Sequence, residues 1–162
     1  LIWTLDALFW LVSYYLDNQQ PTKPPIDIPN ERLLHELIVA NWEKTELGRD
    51  WVIYSDESDP LAGVEYPTGV GRIDILARHR EKPEWLVIEI KKDKSSEAAV
   101  GQILKYIGWI EEEMAESGQK VFGMLICREI DKTTKYAVKA APKNRIKLVE
   151  YSLDIKLNKV VV

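Results

Sequence analysis

Gly71-Arg72-Ile73-Asp74-Ile75-Leu76-Ala77, a polar break over His79 to Pro83, and Trp85-Leu86-Val87-Ile88-Glu89-Ile90-Lys91 form the stretch that decides the fold. Both runs have the apolar, β-branched character of strands, and the break is short enough for an antiparallel hairpin. Alternation puts Arg72, Asp74 and Leu76 on one face of the first strand and Val87, Glu89 and Lys91 on one face of the second. Ile73, Ile75, Leu86, Ile88 and Ile90 line the other face. If His79 pairs with Glu84, Asp74 falls opposite Glu89, with Cβ atoms about 5 Å apart and a lysine two residues further along the same face.

Carboxylates that close raise each other's pKa unless a positive charge intervenes. A divalent cation resolves the conflict, and carboxylate oxygens, a carbonyl and waters suit Mg²⁺. Lys91 would then face an activated water or the developing charge of a phosphate. An exposed hairpin with a solvated Glu89 and Lys91 pair gives the same alternation, so the pattern alone leaves both readings open.

The chain's 162 residues suffice for one domain with a real core. A hydrophobic content of 46% with six Trp indicates a folded globular protein. The net charge of −4 is no nucleic-acid footprint, so a DNA contact would need a local basic patch or cation-bridged phosphates. The single Cys127 excludes a disulfide framework and fits a reducing, cytoplasmic compartment. With only His35 and His79 beside it, the composition argues against a structural zinc site. The aromatic stretch 1–16 contains Asp6, has no basic leader and is shorter than the ~20 residues of a membrane span. It reads as an amphipathic or buried helix that packs on another domain or subunit, with no membrane role.

Pro21, Pro24, Pro25 and Pro29 make 17–30 an extended connector, giving an N-terminal segment 1–30 and a main domain 31–162. Leu33, Leu34, Leu37 and Ile38 predict a helix over 31–47, capped by Asn30 and stopped by Gly48, with Glu36 and Glu43 on the stripe's flank. A short strand at 51–54 and an acidic loop over 55–70 precede the hairpin. The longest helix is predicted over 95–117, with Gln102, Tyr106 and Trp109 in one stripe and Glu111 unexplained inside the apolar face. An almost uninterrupted apolar strand, 120–127, follows as expected of one buried on both sides. A short helix at 131–141 and strand candidates at 145–151 and 154–162 close the chain. The order predicts an α/β protein with a central mixed β-sheet flanked by helices, in which a crossover helix makes the hairpin's second strand and the buried strand parallel.

Asp74 followed by Glu89-Ile90-Lys91 resembles the PD-(D/E)XK nuclease pattern. Glu65-Tyr66-Pro67-Thr68-Gly69-Val70-Gly71-Arg72-Ile73-Asp74-Ile75-Leu76, Val87-Ile88-Glu89-Ile90-Lys91 and Ala99-Val100-Gly101-Gln102-Ile103-Leu104-Lys105-Tyr106 stand in the order and spacing of the NucS/EndoMS-like endonucleases. The resemblance spans roughly 31 to 157, including Val121 to Ile126 and Ile146 to Tyr151. It implies a restriction-endonuclease-like core and a metal-dependent endodeoxyribonuclease serving DNA repair, restriction or defence. Asp74 and Glu89 match the family's metal-binding carboxylates, with the Ile90 carbonyl as a further ligand for Mg²⁺, which Mn²⁺ could replace. Lys91 matches the lysine that orients or activates water. Gln102 and Tyr106 match helix residues beside the site, and their four-residue spacing independently puts both on one side of the helix. For the N-terminal helix carboxylate Glu36 is the best match, with Glu31 and Glu43 as competitors.

The chain departs from the family in two places. Full-length NucS-like enzymes carry an N-terminal DNA-binding and dimerisation domain that 1–30 is too short to supply, so the expected partners are DNA and either a second copy or a separate DNA-binding domain. Where a basic run is expected after the lysine, Asp93 stands between Lys92 and Lys94. The alternative reading is a non-catalytic nuclease fold that binds nucleic acid or docks a protein, and an RNA nuclease is a third.

Overall fold

A computed structural model describes residues 27–153. The sequence-predicted aromatic helix in 1–16 and the strand in 154–162 lie outside them. Residues Ile28 to Ser152 form one compact unit. In chain order its elements are α1 (Glu31–Ala40), a 3-10 turn (Trp42–Lys44), α2 (Glu46–Asp50), β1 (Trp51–Ile53), β2 (Val64–Thr68), β3 (Gly71–His79), β4 (Glu84–Ile90), α3 (Glu97–Glu113), β5 (Lys120–Cys127), α4 (Lys132–Ala140) and β6 (Ile146–Glu150).

Among the described residues, six strands make one mixed sheet in the order β1-β3-β4-β5-β6, with β2 paired to the start of β3. The β3 and β4 hairpin has the expected register: Ile75 faces Ile88, Leu76 faces Val87 and Arg78 faces Trp85. The His79 ring closes the turn by accepting the N–H groups of Glu81 and Lys82 through Nδ1, each at 3.1 Å. The α3 crossover makes β4 and β5 parallel, as predicted, and β6 adds in parallel to β5.

Helices cover both sides of the sheet. Leu76, Trp85, Val87, Val121 and Leu125 pack with Ile103, Ile107 and Ile110 of α3. Ile75, Ala77, Leu86, Ile88 and Ile90 pack with Leu34 of α1 and with Trp42. The α3 helix lies flush on β5 because Gly123 has no side chain: a Cβ there would sit 2.2 Å from Ile103 Cγ2 and 3.1 Å from Ile107 Cδ1. Gly123→Ala is therefore expected to lower stability by about 1–3 kcal/mol through overpacking. Urea unfolding checks this, with an unchanged midpoint as the contrary result.

Four sequence expectations are corrected. The helix predicted over 31–47 breaks at Asn41, because Trp42 turns inward, is 4% exposed and donates its indole N–H to the Trp51 carbonyl at 3.0 Å. Gly48 does not stop that helix; it lies inside α2, where a Cβ would be 2.3 Å from the Trp42 carbonyl oxygen. The 55–70 loop contains β2, whose Pro67 is tolerated because the strand lies off the sheet's main path and, among the described residues, pairs with β3 alone. Ile73 packs with Leu76 and Val87 rather than with Ile75. The two isoleucines therefore join different sides of the core, although the β2 register is the same at Tyr66–Ile73 and Val64–Ile75; between them, Glu65 of β2 has the left-handed φ of 48°. Glu111, unexplained in the sequence, pairs with Arg145.

Candidate active site

The paired part of β3 and β4 ends at Ile75 and Ile88, leaving Asp74 and Glu89 as the next residues on either strand. Beyond that point a side chain replaces the ladder: Asp74 Oδ2 accepts the Ile90 N–H at 2.7 Å. The Asp74 carbonyl oxygen is 2.9 Å from His35 Nε2, where the ring acts as donor. Two bonds thus fix Asp74, one to its side chain and one to its backbone, while Oδ1 stays free of protein hydrogen bonds among the described residues.

Glu89 is 1% exposed, an unusual burial for a carboxylate. Its Oε1 lies 2.8 Å from Lys91 Nζ, and its buried Oε2 has no hydrogen-bond partner among the described residues. Lys91 also reaches Glu31 Oε1 at 3.4 Å, and Glu31 Oε2 accepts the Lys92 N–H at 3.2 Å. The Lys91 N–H donates to the Ile126 carbonyl at 2.8 Å, which anchors the lysine backbone to β5. A cleft of about 190 Å³ opens beside these groups, lined by Glu31, Arg32, His35, Glu65, Asp74 and Ile90.

With every group ionised the cluster would hold three carboxylates against one ammonium. Burial, together with the neighbouring Asp74 charge, pushes Glu89 up to about 7 against the pull of Lys91. Burial also raises Asp74, although its bond from Ile90 and the Lys91 charge oppose the shift. For Lys91 burial acts downward, but the hydrogen bond to Glu89 and the surrounding carboxylates outweigh it and raise the ammonium's pKa. Both acids are therefore short of positive charge, and a dication would supply it. Among the described residues no three His, Cys, Asp or Glu side chains converge into a ready-made cage. A cation here would take the two carboxylates and complete its shell with a backbone carbonyl and water, a donor set that suits Mg²⁺.

The structure brings together Asp74, Glu89 and Lys91 from the sequence-predicted set, with Ile90 between them. It does not bring in Glu36, which lies on the exposed face of α1 in a 2.8 Å pair with Arg32. Glu31, the competitor, faces Lys91 instead, because five residues along a helix turn a side chain by about 140°. Glu43 is bound to Arg80. Gln102 donates to the Tyr106 hydroxyl at 3.2 Å, and that hydroxyl accepts the Arg72 N–H at 3.1 Å. The pair thus steadies the start of β3, two residues before Asp74, rather than bonding to the carboxylates. Gly71 permits this docking: its φ is 142°, and a Cβ would lie 2.6 Å from the Tyr106 hydroxyl. His35 escaped the sequence reading, although it stands four residues after Glu31 and so on the same helical face.

The family model for the endonuclease NucS C-terminal domain matches residues 57–158. Solved structures with a similar fold include an EndoMS complex with double-stranded DNA (TM-score 0.58, 21% identity, 78% of this chain and 46% of that one). Another is a repair endonuclease from Pyrococcus abyssi (TM-score 0.57, 19% identity, 77% of this chain and 48% of that one). The chain spans about half the length of these structures. No curated protein matches the sequence.

Proposed function

Because the chain belongs to the endonuclease NucS C-terminal domain family, we propose that Asp74, Glu89 and Lys91 form a PD-(D/E)XK centre and that the protein is a Mg²⁺-dependent endodeoxyribonuclease. The observation that carries this reading is Glu89: a fully buried carboxylate beside a second acid, with one oxygen on an ammonium and the other without a partner among the described residues. A buried charged group left half-satisfied costs stability and has no structural purpose of its own. Its free Oε2 and Asp74 Oδ1 fit a metal site, with the Ile90 carbonyl as a third donor.

When bound, the cation lowers the pKa of water and neutralises charge on the phosphate, which supplies several kcal/mol of transition-state stabilisation. The chain's own groups set the geometry. Asp74 is held by Ile90 and His35, so its carboxylate keeps one orientation. Lys91 keeps its proton, because its pKa is raised, and acts as a hydrogen-bond donor to the attacking water or to a phosphate oxygen rather than as a base. Glu31 holds Lys91 and the Lys92 N–H from the first turn of α1, closing one side of the site.

The reading is tested by incubating labelled single-stranded, duplex and branched DNA, and matching RNA, with the protein in Mg²⁺, Mn²⁺ or EDTA. Endonucleolytic cutting of DNA in either metal and none in EDTA is expected. Cutting of RNA alone would make the protein a ribonuclease. Binding with no cutting of any substrate would make it a non-catalytic module.

A further inference from the structure

We infer that the outer face of α4 and the turn after it, bearing Lys132, Lys135, Tyr136, Lys139 and Lys143, is the surface along which the DNA backbone lies; this rests on the nuclease reading above. The net charge of −4 hides a sharp local asymmetry. Residues 132–149 contain six basic side chains and no acidic one, while the rest of the chain sets 16 basic against 26 acidic.

The inner face of α4 is committed to the fold. Thr134 is fully buried, and Ala137, Val138 and Ala141 pack against the core beneath α3. Lys132, Lys135 and Lys139, spaced three and four apart, share the opposite face and are exposed, as is Lys143. None of these four lysines has an ion-pair partner among the described residues. The nearest acid, Asp131, is spent on capping α4, accepting the Thr134 N–H at 2.7 Å. Arg145 is held by Glu111 and is not part of the stripe.

Lys139, in the last turn of α4, suits the helix dipole, but the rest of the row does not. Like charges three and four residues apart repel, and Lys132 sits in the first turn, where the helix dipole disfavours a cation. No ion pair among the described residues offsets this repulsion, whereas a row of phosphates would. Tyr136 adds an aromatic ring to the row; it is 60% exposed, with Lys132 Nζ 5.9 Å from the ring centroid. Such an exposed aromatic among lysines suits a sugar-phosphate strand, where the ring packs on the sugar and the hydroxyl bonds to phosphate.

The stripe also starts at the right place. The Asp131 N–H donates to Ser95 Oγ at 3.0 Å, and the Ser95 N–H to the Glu129 carbonyl at 3.0 Å, so the first turn of α4 is tied to the segment that leaves β4 after Lys91. From that edge α4 runs for about 13 Å, or roughly four base pairs of duplex. A strand on this face would reach the sheet edge that carries Glu89 and Lys91 with its backbone already neutralised.

The test measures the affinity of the 162-residue protein for a labelled duplex in EDTA, so that nothing is cut, over a series of KCl concentrations. The triple variant Lys132→Gln, Lys135→Gln, Lys139→Gln is expected to bind at least ~10-fold more weakly, with a log K against log salt slope shallower by about 3. The triple Lys→Arg variant should bind like the wild type, and Lys82→Gln with Lys120→Gln, at the other end of the sheet, should change nothing. Equal affinity and slope in the wild type and the triple Gln variant would overturn this inference while leaving the nuclease reading standing. Failure of the wild type to bind the duplex in EDTA at any salt concentration would also overturn this inference, while metal-dependent cutting in the cleavage panel decides the nuclease reading separately.

Discussion

Glu89→Gln abolishes metal-dependent cleavage, by at least ~10³-fold, and makes the metal-free protein more stable at pH 8: these are the paired results expected of a buried carboxylate kept for chemistry. The loss of activity follows from removing one of two anionic ligands, since the several kcal/mol contributed by a bound cation go with it. The gain in stability follows from linkage. Glu89 titrates near 7 in the fold, against an ordinary value of 4.5. Between those values the folded state holds a proton that the unfolded chain has released, so the wild type loses stability as pH rises through this window. Glutamine carries no charge to bury, and its amide oxygen can still accept from Lys91. In EDTA the variant should match the wild type near pH 4 and exceed it by about 3 kcal/mol at pH 8. Denaturant melts across pH check the second part; a variant that is inactive and equally destabilised at both pH values would make Glu89 a structural residue.

Lys91→Ala is expected to lose most of the rate, about 10²–10⁴-fold, yet to bind Mg²⁺ at least as tightly as the wild type. Lys91 is the cation nearest to Glu89, and its ammonium competes with any other positive charge for Oε1. Removing it leaves the two carboxylates and Glu31 unopposed, which favours a dication while depriving the water or phosphate of its hydrogen-bond donor. Calorimetric Mg²⁺ titration beside single-turnover cleavage separates the two effects. Much weaker Mg²⁺ binding by the variant would contradict the assigned role.

Much of this site was legible in the chain because it depends on local periodicity. The polar break at 79–83 sets the hairpin register, and the register sets Asp74 across from Glu89; the observed pairing of Ile75 with Ile88 follows the same count. The mixed α/β sheet and the parallel β4 and β5 followed from a long amphipathic helix between two apolar strands. Features decided by distant partners were hidden. The break at Asn41 depends on a carbonyl at Trp51, and Glu111 depends on Arg145, 34 residues away. Which carboxylate of α1 serves the site depends on how the helix docks, so Glu36 and Glu31 were indistinguishable until Lys91 was seen against Glu31. The role of His35 rests on a backbone carbonyl, which has no signature in sequence. The division of Ile73 and Ile75 between the two sides of the core breaks the simple alternation and has no signature in the local sequence.

The most direct measurement is anomalous diffraction from crystals of the protein soaked in Mn²⁺. A single strong peak is expected between Asp74 and Glu89, about 2.2 Å from a carboxylate oxygen of each and adjacent to the Ile90 carbonyl, and it should vanish in Glu89→Gln. A metal bound elsewhere, or none at this position in a protein that still cuts DNA, would contradict the assignment of these two acids as the catalytic metal site.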